Sequence, residues 1–145
     1  IENCKIRHNM PHSELSIFMG QSDIFLFPSI HEGFAKVIIE AMASGCVPVI
    51  ARGGGSQSLV MDGVTGFLCG PYNVNEYVEN IKKVLHSPAL KEIIQQNAIH
   101  YASTFNWDRL TNEYFNDLQT LADSLPIYKN DVLKPNEIMP TNYAI

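Results

Sequence analysis

Two carboxylates, Glu32 and Glu40, flank a glycine and the start of an apolar segment in the run His31-Glu32-Gly33-Phe34-Ala35-Lys36-Val37-Ile38-Ile39-Glu40-Ala41-Met42. A carboxylate offers two acceptor oxygens and no donor, which suits it to hold a vicinal diol. Upstream, Asp23-Ile24-Phe25-Leu26-Phe27-Pro28-Ser29 reads as a buried strand ending in a Pro-Ser loop, so Glu32 falls at the strand's carboxyl end. In open α/β sheets ligands bind at that edge. With a helix beginning near Phe34 or Ala35, the amides of Phe34, Ala35, Lys36 and Val37 belong to its first turn. Unpaired donors and the helix dipole favour an anion there. Glu40 then lies roughly 8 Å along the axis at about 1.5 Å per residue. A sugar near Glu32, a phosphate at the helix end and a ribose near Glu40 would make a nucleotide-sugar. The bland alternative stands beside this one, since glutamates on surface helices are commonly just solvated.

The elements that must position these residues follow from periodicity and punctuation. Cys4 to Arg7 reads as a short strand, and Ser13 to Gly20 as a short helix with Leu15, Phe18 and Met19 on one face. Ile24 to Phe27 is a buried strand, and Phe34 to Ser44 is the glutamate-bearing helix, stopped by Gly45. Val47 to Ala51 is the next strand, followed by Gly53-Gly54-Gly55 and a helical turn through Leu59, and Thr65 to Cys69 is a fourth strand. Asn73, with Glu76 three residues on, opens a helix in the manner of a capping box. Its apolar face is Val74, Tyr77, Val78, Ile81, Val84 and Leu85. Ser87-Pro88 starts another helix, carrying Leu90, Ile93, Ile94, Ala98 and Tyr101. Asn106 caps the last, with Trp107, Leu110, Tyr114, Leu118 and Leu121 inward. Pro126, Pro135 and Pro140 imply an extended or disordered tail over 126–145. Strands alternating with helices predict an α/β fold, with a parallel, doubly wound sheet of about four strands and C-terminal helices.

Pro28-Ser29, Glu32-Gly33-Phe34, Glu40-Ala41-Met42-Ala43, Gly45, Pro48-Val49, Gly54-Gly55 and Asp62-Gly63-x-x-Gly66 together resemble the C-terminal domain of family 4 (group 1) glycosyltransferases of the GT-B architecture. The resemblance runs over residues 4 to 122 and includes Phe105-Asn106-Trp107. It implies a partial Rossmann-like, nucleotide-sugar-binding domain over residues 1–125. It further implies a retaining, metal-independent enzyme that needs no cofactor and takes a UDP-, GDP- or ADP-sugar as donor. Glu32 matches the acid that contacts donor-sugar hydroxyls and is the residue assigned a catalytic role. Glu40 matches the acid that holds the ribose. Gly33 and the amides of Phe34, Ala35, Lys36 and Val37 match positions near the sugar and diphosphate, with Gly54 and Gly55 as secondary candidates. Three positions depart from the pattern: Ala35 stands where Gly is frequent, Ser58 where Glu is usual, and His8 where Gly is usual. The family's earlier βα units, its basic diphosphate-binding residues and its N-terminal acceptor domain are not among these residues. The isolated chain is therefore expected to be inactive, and the acceptor (glycan, lipid or small molecule) is left open.

Composition bounds the alternatives. The 145 residues, 46% hydrophobic and 17% charged, suit at most one domain with a single core. A formal net charge of −5 disfavours nucleic acid as a partner, because phosphate binding is driven by Lys and Arg. Cys4, Cys46 and Cys69 form no CxxC pair and read as reduced thiols of a cytoplasmic protein, with a peripheral membrane contact left open. No apolar run reaches membrane-spanning length, and none of these residues reads as a signal peptide. A start at Ile1, almost directly in a strand-like segment, is how a piece of a longer polypeptide looks. His31-Glu32 is not a zinc motif, since the second histidine it needs is Ala35. Gly53-Gly54-Gly55 is neither a dinucleotide nor a P-loop fingerprint, and reads either as a tight turn or as a loop touching the ligand. Lys36 is ambiguous between its amide and its ammonium. A non-catalytic nucleotide-sugar-binding remnant and an α/β interaction module are the competing functional classes.

Overall fold

Val47-Pro48-Val49-Ile50-Ala51 is apolar throughout, and in the computed structural model, which describes residues 4–125, it is buried at every position. Such a run suits a central strand covered on both faces. It is β2 (Val47–Ala51), with β1 (Ile24–Phe27) and β3 (Phe67–Cys69) parallel on either side in the order β1-β2-β3. Ile24 pairs with Val47, and Val49 with Phe67. Alternation along the strands divides the core. Ile50 and Leu68 pack with Ile38 and Met42 of α2 (Lys36–Ala43) and with Ala98 and Ala102 of α4 (Pro88–Ser103). On the other face, Val47, Val49, Phe67 and Cys69 pack with Val84 of α3 (Val74–His86) and Ile94 of α4. The sheet is thus doubly wound, as the alternation of elements predicts. A smaller cluster joins Met19 of α1 (His12–Gly20) to Ala41 and Cys46.

Local signals set most boundaries. Gly45, at φ +88°, ends α2, with its N–H donating to Met42 and that of Cys46 to Ala41, the paired bonds of a Schellman stop. Asn73 caps α3 by accepting from the Glu76 amide at 3.4 Å, but the Glu76 carboxylate accepts from the Gly70 amide, so only half of a capping box forms. Ser87 caps α4, with Pro88 in its first turn. The Asp62-Gly63-x-x-Gly66 segment is a structural clasp. Asp62 accepts from the Leu68 amide at 2.9 Å and from Arg52 at 3.2 Å, while Gly66 lies where a side chain would strike Pro48.

Several expectations are corrected. Cys4 to Arg7 is not a strand: the segment is exposed and pairs with nothing among the described residues, which leaves three strands rather than four. β1 is only half-buried, with Leu26 50% exposed, because it has a neighbour on one side only. The fourth expected strand is shorter, Gly66 making an isolated bridge to Asp62 instead. Val74, Val78 and Leu85 of α3 and Ile93 of α4 are exposed, so only part of each apolar stripe packs.

The chain forms two units, Ile1–Phe105 and Asn106–Ile145. In the second, α5 (Trp107–Ser124) is capped by Asn106, which accepts from the Arg109 amide at 2.7 Å. Tyr114, Leu118 and Leu121, expected inward, are exposed, since this unit has no second element among the described residues to cover them. The Trp107 side chain and the tail expected over 126–145 lie outside the described residues.

Candidate functional site

Parallel strands bring their carboxyl ends to one edge, and the loops leaving β1 and β2 meet there. Glu32, half-buried, is held in the β1 loop by its own neighbour, the Ser29 hydroxyl donating to its Oε1 at 3.0 Å. The Gly55 amide of the β2 loop donates to the Glu32 carbonyl at 2.8 Å. That loop must be glycine-rich for a geometric reason. Gly54 sits at φ +57°, and a Cβ there would overlap the Glu32 carbonyl oxygen, while one on Gly55 would overlap that of Gly33. A Cβ on Gly53 would meet the Ile30 carbonyl oxygen at 3.1 Å, a tight contact rather than an overlap. The tight-turn reading of the glycine run therefore holds, with a tertiary partner that the sequence did not disclose. A side chain on Gly33, by contrast, would meet nothing within 4 Å, so the surface above the loop is open.

The helix begins later than expected. Ala35 is the N-cap of α2 and Lys36 its first residue, because the tethered Glu32-Gly33 segment keeps Phe34 outside the helix, where it is 57% exposed. The Ile38 amide already donates to the Ala35 carbonyl at 3.0 Å. The first-turn donors are thus those of Ala35, Lys36 and Val37, and Phe34 drops out of the set. Ala35 is 7% exposed and packs with Ile38 and Met42, so its methyl faces the core. Lys36 exposes its side chain and Val37 is half-buried against the core. Glu40 is the fifth helical residue, about 6 Å from the helix start at about 1.5 Å per residue. Its carboxylate, 36% exposed, lies 3.8 Å from His12 Nε2 at the start of α1, a neighbour that sequence spacing gave no means of finding.

Ser58, standing where the family usually has Glu, donates to the Gly55 carbonyl at 2.7 Å and so turns back on its own loop. Beside it, Ser56 is buried and its hydroxyl has no partner among the described residues. Cys46 is buried just before β2, at the opposite edge of the sheet, whereas Cys69 is buried at the carboxyl end of β3, packed with Val47, Val49 and Phe67. Burial raises both thiols above their ordinary value, with Asp23 adding to the effect at Cys46. Among the described residues no three His, Cys, Asp or Glu gather closely enough to hold a metal.

Solved structures share this fold. Sucrose-phosphate synthase from Thermosynechococcus elongatus superposes with a TM-score of 0.70 at 26% identity, covering 80% of this chain and 29% of that one. HepE from Anabaena, solved in complex with UDP-glucose, gives 0.65 at 30% identity over 71% of this chain and 29% of its own. Fold and site edge together define a Rossmann-like α/β domain of the kind found in the C-terminal half of GT-B proteins. The match of residues 1–101 to the family model for glycosyl transferases group 1 completes the assignment, and the chain belongs to that family. Among curated relatives, a sulfoquinovosyl transferase from Arabidopsis thaliana is 33% identical over 112 residues, which are 75% of this chain and 22% of the relative. The chain thus spans between a fifth and a third of the length of such relatives.

Proposed function

We propose that this chain supplies the donor-binding part of a retaining, metal-independent glycosyltransferase that uses a UDP-, GDP- or ADP-sugar. The observation that carries this is the placement of Glu32, in a loop tied down at the carboxyl edge of the sheet, ahead of Glu40 and of the N-terminus of α2, which no side chain caps. Glu32 would accept from sugar hydroxyls, the Ala35, Lys36 and Val37 amides would face the diphosphate, and Glu40 would hold the ribose diol. Chemistry would then come from positioning and from stabilising the diphosphate as it leaves, with no protein nucleophile. Support comes from family membership and from HepE, which binds UDP and UDP-glucose. The three free cysteines agree with a cytoplasmic setting. The whole activity would require the N-terminal domain, and the 145 residues alone would transfer no sugar.

Calorimetric titration of the natural full-length gene product with UDP-, GDP- and ADP-glucose tests this. Binding of one of the three is expected. Absence of binding for all three would overturn the proposal.

A further inference from the structure

We propose that Ser29 and the Gly53-Gly54-Gly55 loop are positioning residues for Glu32, fixing its carboxylate and its peptide so that its remaining acceptor sites face a donor sugar; this rests on the donor-site proposal above. Two tethers of different origin converge on one residue. The Ser29 hydroxyl holds the side chain at 3.0 Å, and the Gly55 amide, from the loop of the neighbouring strand, holds the backbone at 2.8 Å. Glycines at 54 and 55 leave the space that the Glu32 and Gly33 carbonyls occupy, so any side chain there would push the Glu32 loop out of place. An ionised carboxylate accepts at about four lone-pair positions. Ser29 uses one of them and holds Oε1 in place, which leaves the others for a diol. Held at both ends, Glu32 pays less ordering entropy when a sugar arrives than a free surface glutamate would. The glycine run thus acts on the ligand through Glu32.

The proposal is tested in the natural full-length gene product, with UDP, GDP and ADP and their glucose conjugates as probes. Ser29→Ala should leave affinity for the nucleoside diphosphate within about twofold and weaken its glucose conjugate up to about tenfold, because the freed Glu32 side chain must then be ordered on binding. Ser29→Thr, which keeps the hydroxyl, should restore the conjugate. Gly55→Ala should show the same selective loss, and faster amide exchange at residues 32–34 in the ligand-free protein. Equal losses for diphosphate and conjugate in Ser29→Ala, or no loss for either, would overturn the assignment. A full-length gene product that binds no probe would refute the donor-site proposal instead. Exchange at the Gly55 amide then decides the tether by itself, slow exchange supporting it and unprotected exchange overturning it.

Discussion

Glu32 and Glu40 are both acids of the β1–α2 segment, yet their settings differ. Glu32 is tied to Ser29 and to the β2 loop, whereas Glu40 lies more than a turn into α2 beside His12. A ribose is common to the nucleotide and the nucleotide-sugar, and the transferred sugar is not. Glu40→Ala is therefore expected to weaken both ligands alike, by about 2–3 kcal/mol for lost charge-assisted bonds. Glu32→Ala should spare the free nucleoside diphosphate and weaken only the conjugate. Calorimetry on the two variants checks this, and equal losses at Glu32 would contradict its assignment. At Ala35 the sequence invites the expectation that a larger side chain would obstruct the ligand and leave the fold alone. Its burial against Ile38 and Met42 changes that outcome. Ala35→Leu should cost about 1–3 kcal/mol of stability by overpacking, visible in urea melts before any ligand is added.

Between elements, the clasp from β2 to β3 depends on one side chain. Asp62 accepts from both the Leu68 amide and Arg52, and thereby fastens the start of β3 to the turn before it. Asp62→Ala leaves the Leu68 amide without its acceptor, and Leu68 is only 8% exposed. The expected loss is about 1–3 kcal/mol, the range for a buried donor left unpaired. Asp62→Asn, which keeps an oxygen at that position, should recover part of it. Thermal melts of the two variants measure the difference. Wild-type stability in Asp62→Ala would mean that the clasp is ornamental.

For the whole molecule, two consequences follow from how the core is covered. Burial raises the Cys46 and Cys69 thiols and the Tyr77 hydroxyl above their ordinary values. The unfolded chain then releases these protons first, so the folded state binds more protons in that range and stability falls as the pH rises. Stability should be intact below about pH 8.5, the ordinary thiol value, and decline above it. Chemical denaturation between pH 7 and pH 10.5 measures the slope, and Cys46→Ala should reduce it. The second consequence concerns the free side of β1. Leu26, Pro28 and Ile30 with Tyr72, Val74 and Val78 line an apolar groove of about 370 Å³, and the edge of β1 facing away from β2 pairs with nothing among the described residues. Open edges beside apolar surface invite association. The bare 145-residue chain is expected to self-associate at moderate concentration in light scattering. A monodisperse monomer would show the edge to be harmless.

Much of this molecule was set by local chemistry and so was legible in the chain. Gly45, Asn73, Ser87 and Asn106 start or stop helices through bonds within a few residues, and the helices lie within a residue or two of where those signals place them. The all-apolar β2 required cover on both faces, which fixed the doubly wound layering. The spacing of Glu32 and Glu40 around one helix start placed both in the β1–α2 segment. Contacts distant in sequence were decided by the tertiary structure. Cys4 to Arg7 has strand-like composition, but a strand exists only where a neighbour supplies hydrogen bonds, and none of the described residues does. Val74 and Val78 have the helical period of a buried face, yet burial depends on what lies opposite them. The reason for glycine at 54 and 55 was likewise hidden, because the carbonyls they accommodate belong to Glu32 and Gly33, more than twenty residues upstream. Periodicity and caps report what a segment can form by itself. Which surfaces meet, and therefore what holds Glu32 in place, is settled only when the strands align side by side.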